Sequence, residues 1–67
     1  MNITENKAVR AVRDRALTLA DTGRFYAALD VERALISEGW PNARRMMESE
    51  LFRQTIHDRC AAARTPH

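Results

Sequence analysis

The sequence predicts an all-α fold, a compact single domain of three to four short helices, and two observations carry that expectation. Alanine, leucine, arginine and glutamate dominate the 67 residues, while β-branched residues are scattered and never alternate over the length of a strand. Gly23, Gly39, Pro41 and Pro66, the two glycines and two prolines, stand where several helices folding back on one another need stop and start signals. Helices are expected at about 3–22, 25–38, 41–48 and 50–64, within one domain over 1–67 whose ends, 1–3 and 65–67, are frayed. A single helix from Pro41 to Arg64 is the alternative for the last two, because a serine stops a helix less firmly than glycine or proline.

The first helix takes Asn2 or Thr4 as N-cap, with Glu5 near the positive end of the helix dipole and Gly23 as its stop. At helical spacing Val9, Val12, Ala16, Leu19 and Ala20 share an apolar stripe, opposite Lys7, Arg10 and Asp14, and Leu17 falls off it. In the second helix Phe25, Ala28, Leu29, Val31, Leu35 and Ile36 form a broad apolar face opposite Asp30, Arg33 and Ser37. Gly39 at the position after the C-cap then lets Trp40 fold back on Leu35, the contact of a Schellman end.

Pro41 suits the first turn of a third helix, which turns Ala43, Met46 and Met47 inward and Arg44, Arg45 and Glu48 outward. The apolar stripe then changes phase to Phe52, Ile56, Cys60 and Ala63, with Ser49 as N-cap and Glu50 behind it. Short connections make successive helices antiparallel or sharply angled, around a core anchored by Phe25, Trp40 and Phe52.

Composition narrows the functional classes. A core of this size rarely supplies more than roughly 3–5 kcal/mol, so small scaffolds lean on a disulfide, a metal or a partner. Cys60 is the lone cysteine, which excludes an internal disulfide and fits a reducing, cytoplasmic setting. The polar start lacks the apolar centre of a signal peptide, and no apolar run approaches the roughly 20 residues needed to cross a bilayer. Eleven basic against nine acidic residues, interleaved, give a net charge of +2. That balance permits nucleic-acid contact without demanding it.

The chain carries no glycine-rich phosphate loop, no HExxH and no CxxC. His57 and Cys60, at i and i+3, are half of a metal site, with Asp58 and His67 near them in sequence; the simpler reading makes Cys60 a small core hydrophobe and His57 a half-exposed residue at the edge of the apolar stripe. The expectation is therefore a non-enzyme with no catalytic residue, metal, cofactor or small-molecule substrate. Glu32 is the unusual residue, because helical spacing places it among Phe25, Ala28, Leu29, Leu35 and Ile36. A carboxylate there needs a partner, expected to be Arg13 or Arg59 from another helix; the functional alternative is that it receives a basic residue of a bound protein.

Two binding classes remain. The first is a protein-interaction module, with a protein partner or a second copy, contacted through Leu17, Tyr26, Glu32, Trp40, Met46 and Met47. The second is a nucleic-acid binder that presents Asn42, Arg44 and Arg45 from the helix starting near Pro41, in a layout loosely similar to a helix-turn-helix, with Lys7, Arg10 and Arg15 on phosphates. Glu38, Glu48 and Glu50 flank that helix and oppose the second reading, which ranks behind the first. Val31 through Met46, about a quarter of the chain, resembles the ubiquitin-associated type of three-helix domain, in which a glycine-aromatic turn like Gly39-Trp40 joins the first two helices. No function is carried across from it.

Overall fold

The computed structural model describes residues 7–65. Within them run four helices: α1 (Lys7–Ala20), α2 (Ala28–Ser37), α3 (Ala43–Met46) and α4 (Glu50–Arg64). The all-α reading holds. The expected N-caps of α1, Asn2 and Thr4, lie outside the described residues.

Each helix end has a local cause. α1 stops at Ala20, and Asp21–Gly23 form a turn closed by bonds from the Asp21 N–H to the Leu17 carbonyl (3.0 Å) and from the Thr22 N–H to the Leu19 carbonyl (3.1 Å). α2 begins at Ala28, three residues later than the expected Phe25, because Ala27 is extended (φ −146°) and its N–H donates to the Asp30 carboxylate at 3.2 Å. That leaves Phe25 in the connection, where it packs half-buried on the core. At the other end of α2 the Gly39 N–H donates to Ile36 O (3.0 Å) and the Trp40 N–H to Leu35 O (3.1 Å), the paired bonds of a Schellman end.

The third helix is a single turn rather than the expected 41–48. It does not run on into α4. Ser49 is extended and its hydroxyl accepts from the Phe52 N–H at 3.2 Å, which caps α4 and settles the two alternatives in favour of a break.

α1 packs against α2 and α4, while α2 also packs on α3 and α4. Val12, Ala16, Leu19, Ala20, Ala28, Val31, Leu35, Ala43, Met47, Ile56 and Cys60 form the buried core, and Leu17, Phe25, Trp40, Met46 and Phe52 pack around it half-buried. The three expected aromatic anchors thus seal the edge of the core rather than filling its centre. Four core positions are alanines, each of which takes little apolar surface out of water. Leu29 and Ile36, read as core from the sequence, are 45% and 43% exposed, and Ala63 is also at the surface. Ala28, Val31 and Leu35 already occupy the arc of α2 that the other helices can cover, so its two remaining branched side chains stay outside.

Both glycines take positive φ, +79° at Gly23 and +92° at Gly39. A Cβ on Gly39 would meet nothing within 4 Å, whereas one on Gly23 would sit 3.0 Å from the Ala63 carbonyl oxygen in α4. Gly39→Ala should therefore lose only the left-handed backbone preference, about 1–2 kcal/mol, and Gly23→Ala should lose more. Urea unfolding of both variants checks the order; equal losses would contradict the contact with α4.

Candidate functional site

Helical geometry places Leu29 and Ile36, seven residues apart, within roughly 20° of each other around the axis of α2. They form one apolar line on the outside of a helix whose other side is core. At its Leu29 end the line adjoins a shallow depression shared with Glu50, Arg53, Gln54 and His57 of α4. At its Ile36 end it adjoins Gly39, Trp40, Pro41 and Arg44. The surface therefore runs from the start of α4, along α2, to the corner made by Trp40 and Pro41.

Glu32 stands on one flank of this line with its side chain 14% exposed. Its partners are arginines other than the expected pair. Arg53 Nη1 lies 3.2 Å from Glu32 Oε1 and donates also to the Met47 carbonyl at 3.2 Å, so one guanidinium ties α4 to α2 and to the end of α3. Arg44 Nε lies 4.0 Å from the other carboxylate oxygen, with its side chain 77% exposed. Arg59, expected at Glu32, instead grips Asp21 with two bonds of 3.0 and 2.8 Å, because it points to the α1 side of α4. That guanidinium holds the Asp21 carboxyl below the usual carboxylate range.

The other expected contact residues separate. Trp40 joins the Leu29–Ile36 line and donates its indole N–H to Glu38 Oε1 at 3.0 Å. Met47 is buried in the core, which removes it as a contact residue, and Leu17 packs half-buried against that core. Met46 faces a different groove. Tyr26 is 69% exposed on the far flank of α2, where the Arg64 guanidinium lies 4.2 Å from its ring centroid. Leu29, Ile36 and Arg53 were not expected at the surface site; the excess width of the apolar face of α2, more than a single core contact needs, was the signal for the first two. Leu51, 80% exposed on α4, carried no such signal.

Of the basic set, Asn42, Arg44 and Arg45 line an open groove of about 810 Å³ with Val9, Pro41, Met46 and Glu48. Lys7 and Arg10 are exposed on α1. Arg15 is committed to Glu38 through a two-pronged bond, Nε to Oε1 at 3.0 Å and Nη2 to Oε2 at 2.8 Å. Cys60 is buried, which pushes its thiol up and away from nucleophilic reactivity, while His57 is exposed, so the two do not converge. Among the described residues no cluster of three or more His, Cys, Asp or Glu side chains is placed to hold a metal ion, and no helix is long and apolar enough to cross a membrane. Compared with known protein families, curated proteins and solved structures, the chain matches none of them.

Hydrogen bonds from Arg15 and then from the Trp40 indole hold the Glu38 carboxyl down to about 2 from its ordinary 4.5. A carboxyl with a depressed folded-state pKa contributes stability that is complete above its unfolded value and lost as pH falls through the folded one. The link that holds the Trp40 corner to α1 should therefore persist above pH 4.5 and break as the pH approaches about 2. Trp40 fluorescence should shift across that window, and Glu38→Gln should show the shifted emission already at neutral pH. An identical pH profile in both proteins would contradict the link.

Proposed function

We propose that the chain is a small non-catalytic protein-interaction module whose docking face is the Leu29–Ile36 line of α2 and the adjoining Trp40–Pro41 corner. The observation that carries this reading is the register of Leu29 and Ile36: two branched apolar side chains on one helical line, left outside a core that is already closed. Single exposed leucines are ordinary on a protein surface. Two in register, one of them beside a half-buried tryptophan and a proline, offer apolar contact points of the kind found where proteins meet. A partner that binds only the folded chain also adds stability by mass action, which a core rich in alanine needs. The same reading puts the protein in the cytoplasm, where a lone buried thiol stays reduced.

A nucleic-acid reading is favoured by the convergence of Asn42, Arg44 and Arg45 on one groove. It ranks second because Glu48 lines that groove, Arg15 is spent on Glu38, and the helix offered to the groove is a single turn.

A photo-crosslinking side chain at Ile36, with Ala62 on the outward side of α4 as control, tests the first reading in cells that make the protein. The expected result is a discrete protein adduct, whether to another chain or to a second copy, from position 36 and none from position 62. Equal adducts from both positions, or adducts to nucleic acid from position 45 alone, would overturn it.

A further inference from the structure

The apolar line of α2 has a lopsided charge around it. On the Glu32 flank two guanidinium groups face one carboxylate. Arg53 offsets that carboxylate at hydrogen-bond distance and is used up by it and by the Met47 carbonyl. Arg44, at 4.0 Å and mostly in water, is therefore a surplus cation next to Ile36. On the opposite flank Arg33 is exposed and forms no ion pair among the described residues. The acid beside it, Asp30, accepts from the Ala27 N–H. Glu50 lies at the Leu29 end, and at the Trp40 end Glu38 is already paired with Arg15, so Arg44 is the charge left beside Ile36.

Resting on the docking face described above, we infer that its occupant is an acidic amphipathic helix of another protein, with apolar side chains on Leu29 and Ile36 and carboxylates toward Arg33 and Arg44. Leu29 and Ile36 stand at i and i+7, two turns apart, with Glu32 and Arg33 at i+3 and i+4 between them, so a helix laid along α2 meets apolar contacts at both ends and charge in the middle. Guanidinium groups bracketing such a line select carboxylates, which they bind in a two-pronged fashion. A second copy of this chain fits less well, because a two-fold contact would set the same cationic flanks against each other. Nucleic acid would satisfy the arginines and leave the leucine and isoleucine without apolar contacts.

The test is a titration of the isotopically labelled full chain, followed by NMR, with a synthetic amphipathic helix of about 18 residues carrying leucines on one stripe and glutamates on its flanks. A second peptide replaces the glutamates with lysines, and a mixed-sequence DNA duplex serves as the third probe. The acidic peptide should shift the amide signals of α2 and of Arg44, and should bind about tenfold or more tightly than the lysine peptide at low salt. Arg33→Glu combined with Arg44→Glu, both exposed and leaving the core untouched, should reverse the order of the two peptides. Equal binding of both peptides at α2 would overturn the charge inference and leave the docking face standing. Shifts confined to other surfaces, tighter binding of the duplex, or concentration-dependent shifts at α2 without any peptide would overturn the inference itself.

Discussion

Gly23 and Gly39, the positive-φ residues among those described, govern how the four helices meet. Gly39 lets the end of α2 close on itself, so that the Trp40 N–H bonds back to the helix it has just left before α3 begins at Ala43. Gly23 acts differently: having no side chain, it lets the α1–α2 turn come against the last turns of α4 at the Ala63 carbonyl. Ion pairs then fasten the two ends, Asp21 to Arg59 at one and Glu38 to Arg15 at the other. These exposed pairs contribute little stability each. One joins the α1–α2 turn to α4, and the other joins α1 to the end of α2.

Much of this was legible in the sequence because it depends on neighbours a few residues apart. Of the stripe Val9, Val12, Ala16, Leu19 and Ala20 all but the half-buried Val9 are buried, and of Phe52, Ile56, Cys60 and Ala63 the middle two are, while Gly39-Trp40 and Ser49 act as the stop and cap they resemble. What failed depends on packing. Ala27 has no side chain that announces an N-cap, and the signal for it was Asp30, the reciprocal half of a capping box. The broad apolar face of α2 could not be divided into buried and exposed parts until the helices covering it were placed.

The pairing of Glu32 shows the same limit. That this carboxylate needed an arginine followed from its position among apolar residues; which arginine depended on the side of α4 that turns toward α2. Arg53 sits three residues before Ile56, at the edge of the buried stripe, where a long side chain can reach a neighbouring helix. Arg59 sits at the other edge and reaches Asp21 in the turn after α1 instead.

α2 thus has two apolar faces, one closing a small core and the other, with Leu29 and Ile36, open at the surface. The division can be measured by comparing the urea unfolding of a Leu29→Gln, Ile36→Gln double variant with that of Leu35→Ala. If the outer line does not hold the fold together, the double variant should stay within about 1 kcal/mol of the native chain, while Leu35→Ala should lose about 2–5 kcal/mol. A double variant as unstable as Leu35→Ala would make Leu29 and Ile36 part of the core and contradict the account.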